Sequence, residues 1–177
     1  MKFAKDILVL DFETTHYHPN LAEPIQLAAV LLDKETLKEK DSFSSFIASD
    51  LKNADTESME ISGVTPEKFT GAPSPAEVAK MFAEKFGFNV FLASWVGNLD
   101  RIMLRKIMEA ANIDITQYDH HYLDLWPLAY VHLIKQGYSG GIRSEEMFKA
   151  FGLPARETHE ALDDCRKEAE VLRKVIF

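Results

Sequence analysis

Three stretches near the N-terminus read as strands from their pattern of apolar and polar positions. Residues 7–12 (ILVLDF) and roughly 25–33 (IQLAAVLLD) are almost continuously apolar, as strands covered on both faces are. Residues from about 38 to 48 alternate more and read as an edge strand. The stretch 49–73 is polar and rich in turn residues, with one short apolar island, ISGVT, before the PEKFTGAPSP punctuation. Ser74, Pro75 and Glu77 form a helix start with a capping box, and Gly87 ends that helix after about Phe86. A fourth short strand, NVFLAS, follows. The pattern then predicts helices at about 98–111, within YLDLWPLAYVHLIK after its first residues, at about 144–151 and at about 159–176, with GYSGG as a break. Strands first and helices interleaved later imply an α/β fold: a mixed central sheet flanked by helices on both faces.

No repeat or linker interrupts the 177 residues, so a single domain over 1–177 is expected. The lone cysteine, Cys165, cannot form an internal disulfide. No apolar run is long enough for a membrane span, and the start MKFAKDILVL lacks a secretory cleavage site, so a cytoplasmic protein is expected. The net charge of −8 argues against a surface that coats nucleic acid. It does not exclude a site that grips a few nucleotides through bound cations.

The chemistry lies in where the acids fall. Asp11 and Glu13 stand two apart on the first strand, so they share a face, with no adjacent Lys or Arg. In the helix near 98–111, Asp100, Leu104, Ile107 and Ala111 share a face, which puts an acid at the head of the apolar stripe. Taken alone, Asp100 is also explained as a carboxylate favoured by a helix N-terminus, an effect under about 1 kcal/mol. In the last helix Ala161, Cys165, Ala169, Leu172 and Ile176 form the buried stripe. Asp163 falls opposite it and should face water, whereas Asp164 falls on its flank. His159 precedes this helix, and taken alone it reads as a surface or hydrogen-bonded histidine. Two unit charges 4 Å apart repel by about 4 kcal/mol at an effective dielectric of 20. If the four acids converge, hard divalent cations remove that penalty, and Mg²⁺ or Mn²⁺ suits carboxylates best. Two such ions form the clamp used for in-line displacement at phosphorus.

DFETT, the Asp heading a helix after an apolar strand (FLASWVGNLDRIML), and HEALDD together resemble the DEDDh 3′–5′ exonucleases, the ribonuclease T/DnaQ-like superfamily. The resemblance covers nearly the whole chain. It implies a ribonuclease H-like fold and hydrolysis of terminal phosphodiesters of single-stranded DNA or RNA, from the 3′ end, to 5′-mononucleotides. It further implies that Asp11, Glu13, Asp100 and Asp164 hold two Mg²⁺ or Mn²⁺ ions, with His159 as general base. Thr14, Ile61 and Leu99 would lie against the terminal nucleotides, with ordinary packing as the alternative. The partners implied are single-stranded 3′ ends, and no membrane; protein partners and a homodimer stay open.

Departures from the family pattern are HYHPN after DFETT, where His16 and His18 read as a polar loop, and Leu99 where an aromatic is usual. GYSGG is a flexible turn, DHHYLD a surface loop, Trp95 and Trp126 core residues, and Cys165 a small hydrophobe. The rival reading is a catalytically silent member that binds nucleic acid or a partner. Such a copy would be expected to have lost one of the five motif residues, and all five stand.

Overall fold

The computed structural model describes residues 3–69, 71–154 and 160–177. Its centre is a five-stranded mixed sheet: β1 (Ile7–Thr14), β2 (Pro24–Leu32), β3 (Glu39–Phe46), β4 (Phe91–Ser94) and β5 (Leu123–Asp124), in the order β3-β2-β1-β4-β5. β1 pairs antiparallel with β2 and parallel with β4, and β4 pairs parallel with β5. The two continuously apolar segments are inner strands, while the alternating one, β3, lies at an edge with a largely exposed face.

Strand alternation divides the core in two. Ile7 and Val9 of β1 face one layer, with Ala28, Val30 and Leu32 of β2. Leu8, Leu10 and Phe12 face the other, with Leu27 and Ala29. The first layer is covered by α4 (Leu125–Lys135), α5 (Ser144–Ala150) and α6 (Ala161–Ile176). The second is covered by α2 (Pro75–Phe86) and α3 (Gly97–Ala110). Both faces are therefore dry, as the inner strands' composition requires. The Ser74 cap forms as expected: its hydroxyl accepts the Glu77 N–H at 3.3 Å while the Glu77 carboxylate accepts the Ser74 N–H at 2.8 Å. Among the described residues, no helix is long and apolar enough to cross a membrane.

The turn-rich reading of 49–73 misses a helix. Thr56–Ser62 forms α1, opened by Asp55, whose carboxylate accepts the Ser58 N–H at 2.9 Å, and closed by Gly63 at φ 59°. Gly63 supplies the left-handed conformation that ends a helix without a Cβ clash. α1 has too few apolar residues for a periodic signal. It packs against β1 and places its flank beside the end of that strand.

Candidate active site

The site forms where β1 ends. Asp11 and Glu13 continue the Ile7–Val9 face of β1, so they project toward the layer that α6 covers. The first turn of α6 answers with Asp164. A ligand oxygen from each of Asp11, Glu13 and Asp164 falls in a group whose members all lie within 4.8 Å of one another. Asp100 arrives from the opposite layer, at the first turn of α3, which begins beyond the end of β4. It stands outside that tight group and is buried, its Oδ1 accepting the Phe12 N–H at 3.2 Å. Phe12 lies between Asp11 and Glu13, so Asp100 is tied directly to the backbone that carries them. Three of the four acids thus meet, and the fourth backs the strand that holds two of them.

Helical spacing separates the paired aspartates as expected. The Asp163 side chain is 57% exposed and that of Asp164 is 2% exposed. His159 lies outside the described residues.

Asp11, Glu13 and Asp164 line a cavity of about 260 Å³ together with Thr14, Ile61 and Leu99, the three residues expected at the terminal nucleotides, while Asp100 lies behind its wall. Ile61, on α1, is half exposed although apolar. Phe12, Tyr17, Ser58, Trp95, Val96, Ser144 and Glu168 complete the lining among the described residues, and the sequence alone assigns none of them to a site. Trp95 is core as expected, but its Nε1 also donates to Ser144 Oγ at 2.9 Å at the cavity wall. Glu168 is the more instructive omission. It stands four residues after Asp164 and is buried on the same face of α6, so the helical wheel that selects Asp164 could have found it too.

The electrostatics follow from this crowding. Burial pushes the Asp100 carboxyl up to about 7, against the opposing pull of the Ser94 hydroxyl and the Phe12 N–H. Burial, then the field of Glu168, Asp11, Asp100 and Asp164, raises the Cys165 thiol well above its ordinary range, so it stays neutral and is no nucleophile. Lys167 Nζ stands 3.6 Å from Asp164 Oδ1. Clustered hard oxygen donors fit divalent cations of the Mg²⁺ type.

A pH-dependent metal effect on stability follows. A raised carboxyl pKa means that the neutral form is favoured in the fold. The contribution of Asp100 is therefore fully present below its unfolded value near 3.8 and is lost as pH rises through about 7. Metal-free protein should pay this penalty at pH 8 more than at pH 6, and Mg²⁺ should relieve it. Melting scans with and without saturating Mg²⁺ should show a larger increase in Tm at pH 8, by about 5 °C. An equal increase at both values would contradict this reading.

The loop after β1 bears out its polar reading: His16 Nδ1 accepts the His18 N–H at 2.8 Å, a local turn. Trp126 Nε1 donates to the Ile142 carbonyl at 3.1 Å and stacks on Tyr130, which anchors the glycine-rich turn before α5.

Comparison with known proteins places this geometry in a lineage. The family model described as RNase_T, exonuclease, matches residues 8–172. DNA polymerase III PolC-type of Thermotoga petrophila is 29% identical over 175 residues, 96% of this chain and 12% of that protein. The chain therefore spans about an eighth of the length of the curated relatives it matches. Among solved structures, cell-death related nuclease 4 (CRN-4) superposes with a TM-score of 0.78 at 21% identity, covering 97% of this chain and 64% of that one. The zinc-bound form of the E. coli exonuclease I complex with single-stranded DNA gives 0.78 at 20% identity, covering 96% and 41%. These likenesses establish an α/β ribonuclease H-like architecture. With the family match extending over nearly its full length, the chain belongs to the exonuclease family.

Proposed function

We propose that this protein is a metal-dependent 3′–5′ exonuclease that removes 5′-mononucleotides from single-stranded DNA or RNA. The observation that carries this is the meeting of Asp11, Glu13 and Asp164 within 4.8 Å beside Thr14, Ile61 and Leu99 in one cavity. The clustered carboxylates, with Asp100 behind them, would hold two divalent ions, Mg²⁺ or Mn²⁺. Such ions, when bound, activate water and neutralise charge at the phosphoryl oxygens.

The chain's own residues do the remainder. The β1 backbone holds Asp11 and Glu13 on one face, and the Phe12 N–H fixes Asp100 against it. Ile61 and Leu99 offer apolar surface to the terminal bases, contact that is tolerant of sequence because every base has an apolar face. Thr14 lies beside Glu13 at the irregularity that ends the β1–β2 pairing, where backbone groups leave the ladder and can face a substrate. His159 takes the proton from the attacking water, a task for which imidazole is the commonest side chain. The absence of a disulfide partner for Cys165 agrees with a cytoplasmic setting.

The test is a digestion ladder. A 5′-labelled single strand in Mg²⁺ should shorten one nucleotide at a time, while a 3′-blocked strand should persist. Matched RNA and DNA strands then report sugar preference, since the 2′-hydroxyl is what distinguishes them at a site. Shortening from the 5′ end, or no digestion of either polymer, would overturn the proposal.

A further inference from the structure

We infer that a second cavity, beside α3, holds the phosphodiester backbone of the strand upstream of the nucleotide being removed. The inference rests on the exonuclease reading above. This cavity encloses about 640 Å³ and is lined by Lys5, Arg101, Arg105, Thr116, His120 and His121, among others. Arg101 and Arg105 lie one turn apart on α3. Neither forms an ion pair with a described carboxylate. The Arg101 guanidinium sits 5.8 Å from the centre of the Tyr122 ring, an attraction that orients it and leaves its charge in place. Among the described residues, Asp119 is the one carboxylate in the lining. Lys5 donates to it at 3.2 Å, the His121 ring lies 2.9 Å from it and the His120 ring 3.7 Å. The charge left over in the cavity is positive, in a protein whose net charge is −8. Two unpaired guanidinium groups in one concave surface suit phosphate, which they bind through paired N–H donors.

Position makes the phosphates of the substrate strand the occupant. Leu99, Asp100 and Arg101 are consecutive at the head of α3. Leu99 lines the acid cavity, Asp100 is buried, and Arg101 lines the second cavity. Successive residues are turned by 100°, so the two cavities flank the same turn of α3 at Leu99 and Arg101, the second running on past Arg105 to Lys5, which precedes β1. A strand held by its 3′ end among the acids reaches the arginines within a few nucleotides by passing the N-terminus of α3. The same phosphate chemistry could come from a free 5′-mononucleotide, and the test separates these sources.

The test compares the wild type with Arg105→Ala, Arg105→Glu and the Arg101→Ala/Arg105→Ala double variant. Arg105 is exposed, so its single substitutions keep the fold even if the double variant does not. Substrates are a dinucleotide and a strand of about twelve nucleotides, digested over a range of salt. The double variant should lose about 10-fold in kcat/KM on the long strand, with Arg105→Ala showing part of that loss. The dinucleotide should change less than about two-fold. The slope of log kcat/KM against log salt should flatten by about 0.7 for each arginine removed. Equal losses on both substrates, or an unchanged slope, would overturn the inference while leaving the exonuclease reading intact. Weaker inhibition by added 5′-mononucleotide with unchanged long-strand digestion would make this a mononucleotide pocket and overturn it as well. A wild type that digests neither substrate defeats both readings.

Discussion

Asp164→Asn should abolish digestion, by at least about 10³-fold, while Asp163→Asn should stay within about two-fold of wild type. The two residues are adjacent and chemically identical, so the contrast isolates position. Asp164 is buried in the group formed with Asp11 and Glu13, and asparagine keeps its size while removing its charge. Asp163 is largely exposed and pairs with Arg166 at 3.9 Å, an ion pair worth no more than about 1 kcal/mol. The loss should be one of chemistry rather than folding. Removing one negative charge from a crowded site relieves repulsion, so the metal-free melting temperature of Asp164→Asn should equal or exceed that of wild type. Its response to Mg²⁺ should shrink. If Asp163→Asn proves the inactive variant, the assignment of the α6 face is wrong.

His159→Ala should lower the rate by about 10²–10⁴-fold, yet leave the Mg²⁺-dependent increase in melting temperature as in wild type. The distinction matters because two kinds of residue are at work. The carboxylates hold cations and therefore enter both activity and metal-linked stability. A proton acceptor enters activity alone. In wild type kcat/KM should rise with pH as the general base loses its proton, and this rise should flatten in the variant. A His159→Ala protein that retains full activity would remove the histidine from the reaction. One that loses the Mg²⁺ response would make it part of the cation site.

The legible part of this protein was whatever repeats with a period. Two-residue alternation along β1 places Asp11 and Glu13 on the α6 side of the sheet, and a 100° turn per residue buries Asp164 and exposes Asp163. Both follow from local geometry that tertiary packing preserved. Two short segments, α1 and β5, were not legible. α1 spans seven residues, and β5 only two, so β5 exists because it pairs with Ala93 and Ser94, a contact distant in the chain. Glu168 was passed over for another reason. An acid in a charged helix reads as solvated by its residue type, although its place on the wheel, one turn beyond Asp164, sets it beside the buried stripe, and the packing of α6 against β1 and β2 buries it. Asp100 marks an intermediate case. Its place on a buried stripe was readable, but its bond to the Phe12 N–H, which joins the two layers at the site, spans 88 residues.

The central claim is that carboxylates from β1, α3 and α6 form one binding site for divalent ions. Anomalous diffraction from crystals of the protein soaked in Mn²⁺ tests it most directly. Two peaks should lie among Asp11, Glu13, Asp100 and Asp164, and Asp164→Asn should weaken or remove at least one. Peaks confined to other surfaces, with none between these four side chains at saturating Mn²⁺, would contradict the account.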